Sequence, residues 1–143
     1  MTLVDTNVLI DVLANDPVWR GWSIAMLAQR SVLGALIITD VTYAELSPQF
    51  ASAQALDSAT ASLGVVLQRI PRQALYAAGR AFEQYRRRGG TRPNVLADFF
   101  VGAHAQVLGF PLLTRDVRRF RKYFPSVELI APLAVEPYPP HAL

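Results

Sequence analysis

Apolar positions along the chain follow two rhythms in turn. Leu3-Val4 is a short apolar run ending at Asp5, and Ala35-Leu36-Ile37-Ile38 is apolar at every position, as in a strand covered on both faces of a parallel sheet. Between them the spacing is helical. Val8, Leu9, Val12 and Leu13 define one helix over 6–14, and Trp19, Trp22, Met26 and Leu27 share a face of a second over 18–32. Asn15-Asp16-Pro17 separates the two, and Gly34 stops the second. Further on, Thr39-Asp40 offers caps for a helix over 41–50, followed by a helical segment over 51–63 and a strand over 65–70. A long helix over 72–88 closes at Gly89-Gly90, and Asn94 caps the next, which runs to residue 108. A strand over 112–114, a short basic helix over 116–123 and a last strand over 127–130 complete the order.

Strands separated by helices predict an α/β fold, a three-layer α/β/α sandwich with a central parallel sheet. In such sheets ligands bind beyond the carboxyl ends of the strands. The 143 residues suit one domain over 1–131. The tail over 132–143 holds four of the ten prolines and is expected to be irregular.

Composition narrows the chemistry. The chain has no cysteine, which excludes disulfides and thiolate metal sites. Its N-terminus carries Asp5 where a secretion signal carries basic residues, so a cytoplasmic location is expected. The apolar stretch 95–114 is interrupted by Asp98, His104, Gly109 and Pro111, which suits a buried helix and strand rather than a membrane span. Net charge is +3, and thirteen of the fourteen cationic residues are arginine. They concentrate at Arg86, Arg87, Arg88 and Arg92, and at Arg115, Arg118, Arg119, Arg121 and Lys122. Guanidinium forks match phosphate oxygens, so these groups suit a nucleic-acid backbone; a solvated helix end is the plainer reading.

The acids sit where the layout places function. Asp5 ends the first strand and Asp116 follows the strand over 112–114. Asp98 opens a helix inside the apolar run Val95-Leu96-Ala97 and Phe99-Phe100-Val101, and Glu45 lies early in the helix after Asp40. Each has a simpler role open to it: Asp5 and Asp116 as helix caps, Asp98 as a charge favoured at a helix N-terminus, and Glu45 as a solvated residue. Taken together, carboxylates converging from distant segments repel one another and call for a cation. Hard oxygen ligands suit Mg²⁺ or Mn²⁺, which can activate water against a phosphodiester.

Four segments in order resemble PIN-domain nucleases: Met1 to Asp11 (MTLVDTNVLID), Thr42-Tyr43-Ala44-Glu45-Leu46, Leu96-Ala97-Asp98 with Ala103-His104-Ala105, and Leu112-Leu113-Thr114-Arg115-Asp116 with Phe120 and Phe124. In compact size the chain resembles the VapC toxins of toxin–antitoxin pairs. The resemblance implies a PIN-like fold and RNA cleavage with Mg²⁺ or Mn²⁺ at Asp5, Glu45, Asp98 and Asp116. It further implies a homodimer and a cognate antitoxin protein that blocks the site. Thr6, Asn7 and Thr114 suit hydrogen bonds to the carboxylates or their waters. Asp40 lies near Glu45 and competes with it for the second position. Two other functions fit parts of the pattern. One is a non-catalytic nucleic-acid or partner-binding module that uses the basic groups, for which clustered acids have no purpose. The other is a phosphotransfer domain with an Asp nucleophile, for which Asn7 and the lone Lys122 are poorly placed.

Overall fold

Strand β1 (Thr2–Val4) is wholly buried and occupies the middle of the sheet. The computed structural model describes residues 1–133, save the side chain of Asn94. After β1 come α1 (Thr6–Leu13), α2 (Arg20–Leu33), β2 (Leu36–Thr39), α3 (Asp40–Leu46), α4 (Ala53–Ser62) and β3 (Val65–Gln68). The chain continues through α5 (Arg72–Arg87), α6 (Leu96–Leu108), β4 (Leu112–Leu113), α7 (Arg118–Tyr123) and β5 (Leu129–Ile130). Among the described residues all four strand pairings are parallel and the order is β3-β2-β1-β4-β5.

The period-two alternation of the strands divides the interior. Leu3, Ile37 and Leu112 face one core with Ala74, Ala78, Phe99, Phe120 and Phe124, which belong to or follow α5, α6 and α7. Val4, Leu36, Ile38, Val65 and Leu113 face the other with Val8, Leu9, Leu27, Leu46 and Leu56 from α1 to α4. The result is the three-layer α/β/α sandwich that the pattern predicts.

Several ends shift for local reasons. Helix α2 starts at Arg20 rather than 18, because the Asp16 side chain accepts bonds from the backbone N–H groups of Val18 and Trp19 and forms a turn there. The helix expected over 41–50 ends at Leu46 and continues as a 3₁₀ turn, Ser47–Gln49, with Pro48 inside it. Pro93 likewise opens a 3₁₀ turn, Pro93–Val95, so α6 begins at Leu96 with Val95 in the capping position and no side-chain cap. The stretch 95–114 resolves into α6 and β4, and among the described residues no helix is long and apolar enough to cross a membrane. The tail expected to be irregular lies, from residue 134 on, outside the described residues.

One contact sets how closely α6 approaches the end of α7. A Cβ at Gly102 would collide with the Phe124 ring, which is buried. Glycine in a helix interior normally costs about 1 kcal/mol relative to alanine, but overpacking a full core typically costs about 1–3 kcal/mol. Gly102→Ala is therefore expected to lower the melting temperature, and adding Phe124→Leu to recover part of the loss. A raised melting temperature in the single variant would show that the ring yields freely.

Candidate active site

The strand order reverses direction at β1: the chain moves to β2 and β3 on one side, then crosses to β4 and β5 on the other. Such a switch point opens a crevice at the carboxyl ends of the two central strands. Asp5 follows β1 there, and Thr114 follows β4. The register Leu3↔Leu112 and Val4↔Leu113 carries the two side by side, with the Asp5 N–H donating to the Leu113 carbonyl at 2.9 Å.

Asp5 is 5% exposed and both its oxygens are held. Oδ1 accepts from the Thr6 N–H at 2.8 Å, the N-cap contact that starts α1, and Oδ2 accepts from the Thr114 hydroxyl at 2.8 Å. The Asn7 amide lies 3.4 Å from both Asp5 Oδ2 and the Thr114 hydroxyl. The cap role open to Asp5 is thus real, and it leaves the carboxylate facing the crevice. On α3 the Thr39 hydroxyl accepts from the Thr42 N–H, fixing the helix start, and Glu45 accepts from the Thr6 hydroxyl at 2.8 Å. Asp98 stands in the first turn of α6. Asp116 lies in the loop before α7, its N–H donating to the Thr114 hydroxyl at 3.1 Å.

All four acids line one cavity of about 250 Å³, together with Thr6, Asn7 and Arg119. Asp40 is exposed at the start of α3 and is absent from that lining, so Glu45, not Asp40, faces the cavity. The acids do not stand alone. Arg119 donates to Asp98 at 2.5 Å, and Arg118 contacts Asp116 at 3.3 Å. Asp98 is therefore partly compensated by a guanidinium, which the expectation of mutually repelling carboxylates did not include. Among the described residues no three acids are grouped tightly enough to hold an ion as they stand.

The electrostatics record the crowding. Burial, then the charge of Asp98, push Asp5 from the ordinary aspartate value of 3.8 to about 7; hydrogen bonds from Thr114 and Thr6 oppose this and Glu45 adds to it. Glu45 is raised by burial and by Asp98, against its bond from Thr6. Burial raises Asp98, the charge and hydrogen bond of Arg119 lower it, Asp116 adds to the rise, and the net shift is upward. At Asp116 burial also raises, but the contacts with Arg118 and the charge of Arg119 outweigh it and hold the group below the ordinary value.

Sequence reasoning passed over Asp11. It is 1% exposed, accepts from the Ser23 hydroxyl, and takes both nitrogens of the Arg115 fork at 2.6 and 2.9 Å. The signal was present: Asp11 interrupts an apolar run as Asp98 does. His104, buried on α6, meets Gln68 at 3.0 Å and lies outside the cavity lining, which leaves an all-oxygen donor set.

A family model, the PIN domain, matches residues 2–124. The chain belongs to the PIN-domain family. The nuclease class implied by the sequence resemblance therefore stands at the level of the family. Comparison with curated proteins returns no significant match. Solved structures of similar fold include VapBC2 from Rickettsia felis bound to a promoter DNA fragment (16% identity, 91% of this chain and 97% of that one, TM-score 0.64). Another is VapBC-1 from nontypeable Haemophilus influenzae (20%, 91% and 96%, TM-score 0.66). A toxin–antitoxin complex from Klebsiella pneumoniae is also similar (20%, 89% and 95%, TM-score 0.63).

The raised Asp5 carries a pH signature for this PIN domain in chelator. Its folded form binds a proton that the unfolded chain has already released between pH 3.8 and about 7, so stability falls as pH rises through that window and levels off above it. The shift corresponds to on the order of 4 kcal/mol. In EDTA, Asp5→Asn is expected to raise the melting temperature at pH 8 and flatten its decline between pH 5 and 8, as thermal melts would show. Asp98→Asn is expected to give a smaller gain, because the relief it brings to Asp5 is offset by the half-buried Arg119 losing its partner. An unchanged pH profile in Asp5→Asn would place the repulsion elsewhere.

Proposed function

We propose that the chain is a metal-dependent endoribonuclease and the toxin of a toxin–antitoxin pair. One observation carries the reading: Asp5, Glu45, Asp98 and Asp116, from four separate segments, line a single cavity at the switch point of the sheet, with arginines at its edge. These four oxygen donors fit Mg²⁺ or Mn²⁺ in chemistry, and the raised Asp5 marks negative charge that a cation would offset. When bound, the ion supplies Lewis acidity toward a phosphodiester and lowers the pKa of a water molecule.

The residues behind the acids do the positioning. Thr114 and the Thr6 N–H fix both oxygens of Asp5, and the Thr6 hydroxyl orients Glu45. Such support holds ligands in place and tunes their basicity. Arg118 and Arg119 line a recess beside the acids, and guanidinium forks are suited to binding phosphate oxygens in pairs.

An antitoxin partner is supported by the solved complexes of similar fold, one of which is named as a toxin–antitoxin complex. A partner segment that set a cation among the four acids would offset the repulsion recorded at Asp5. A homodimer remains part of the proposal by the same resemblance.

Purified chain is expected to cleave RNA with Mg²⁺ or Mn²⁺ and to lose cleavage in excess EDTA. Asp5→Asn and Asp98→Asn are each expected to abolish it, and co-purified antitoxin to suppress it. Cleavage that persists in chelator, or equal cleavage by the free chain and its complex, would defeat the metal or the toxin part respectively.

A further inference from the structure

Arg119 stands between two regions of opposite charge. On one side it lines the cavity of the four acids. On the other it lines a second cavity, of about 300 Å³, where Arg88 from the end of α5 and Arg118 and Lys122 from α7 face the same space. This second cavity is a basic cleft, and the Arg119 guanidinium is turned away from it. It donates instead to Asp98 Oδ2 at 2.5 Å.

The charges account for that orientation. A guanidinium left in the cleft meets three like charges. One turned to the acids meets a carboxylate in partly buried surroundings, where water screens the attraction less. Arg118 provides the contrast: it contacts Asp116 at 3.3 Å with both side chains largely in water, where ion pairs constrain little. The Arg119–Asp98 pair is more enclosed, with side chains 27% and 34% exposed, yet it is open enough to part. The backbone need not follow. Phe120, the next residue, is buried in the core and anchors α7, so parting the pair takes only rotation of a side chain.

The pair bears on the acids as ligands. Asp5, Glu45, Asp98 and Asp116 share a cavity, but among the described residues no three of them are grouped so as to hold an ion. Asp5 and Glu45 are held by hydroxyl and amide donors, which leave a carboxylate its charge. Asp98 is held by a full positive charge, which must be displaced or outweighed before the carboxylate serves a cation. A salt bridge that merely fastened α7 to α6 has no need to lie in the lining of this cavity.

We propose that Arg119 is a built-in competitor for the metal. Without a divalent cation it neutralises Asp98; when one binds, it gives up the carboxylate and withdraws toward the basic cleft, and so it sets how readily the site is loaded. The inference rests on the metal-dependent reading of the acids and deepens it.

The test is isothermal titration of Mn²⁺ alone into the full chain stripped of metal, with no RNA present. Arg119→Gln is expected to bind Mn²⁺ more tightly than the parent, on the order of tenfold. Arg119→Lys is expected to fall between the two, since an ammonium on a flexible stem pairs less firmly than a fork. Arg121→Gln removes the same charge from an exposed position on the same helix and is expected to bind as the parent does. In a chain already carrying Asp98→Asn, adding Arg119→Gln is expected to give a much smaller gain. Thermal melts give a second readout. Arg119→Gln is expected to melt lower than the parent in EDTA and to gain more on addition of Mn²⁺. A residue that only fastened α7 to α6 would instead give lower melting together with weaker Mn²⁺ binding. Equal or weaker binding by Arg119→Gln, or an equal gain in Arg121→Gln, would overturn the proposal and leave the metal reading in place. Absence of Mn²⁺ binding in the parent and every variant would defeat the metal reading, and the proposal with it.

Discussion

A carboxylate buried beside other carboxylates is costly, and Asp5 is kept there by contacts that the fold itself supplies. Parallel pairing of β1 with β4 sets the Thr114 hydroxyl against one oxygen, and the first turn of α1 sets a backbone N–H against the other. Neither contact is an addition to the framework. Sliding β4 by one residue would turn Thr114 to the opposite face and remove its bond. The same register therefore fixes the sheet and the most strongly perturbed group of the site. It also explains why the acids collect here: β1 is the strand at which the chain changes direction across the sheet, so α1, α3, α6 and the loop after β4 all approach the end of that one strand.

A second anchor holds that loop. The Arg115 fork closes on Asp11 of α1, its backbone N–H donates to the Asn7 side chain at 3.3 Å, and its guanidinium lies 5.1 Å from the Trp19 ring centroid. Thr114 and Asp116 flank Arg115, so the pair clamps the loop that carries both of them onto the helix that follows Asp5. Buried ion pairs add little net stability over apolar packing, while losing one partner typically costs about 3–5 kcal/mol. The clamp accordingly acts more on where Thr114 and Asp116 stand than on how stable the domain is.

The layers were legible in the chain because burial leaves a period. The apolar run Leu36-Ile37-Ile38 of β2 and the helical spacing of α1 and α2 are demanded by the faces they pack against, and four of the acids stand out by position. Helix ends were less legible, because Asp16, Pro48 and Pro93 trade a turn of α-helix for local bonding that apolar spacing does not record. Asp11 was legible by the rule applied to Asp98 and was passed over because no strand end pointed to it. The pairing of Arg119 with Asp98 was not legible: it depends on α7 crossing the start of α6, a packing fact that residues 21 apart in sequence do not announce.

The charge arrangement follows from this packing. Basic residues near the end of a helix interact favourably with its dipole, which accounts for Arg86 and Arg87 on α5 and for Arg121 and Lys122 on α7. It does not account for Arg119, which turns inward to a half-buried carboxylate and lines both the acid cavity and the basic cleft. A residue so placed couples two regions of opposite sign. Its removal would leave Asp98 less compensated and at the same time strip a cation from the cleft. Arg88 and Lys122 lie outside the acid lining and act on the cleft alone. The acid cavity and the basic cleft are therefore two ends of one continuous surface, joined at Arg119, and a chain of net charge +3 carries its acidic centre inside a basic rim.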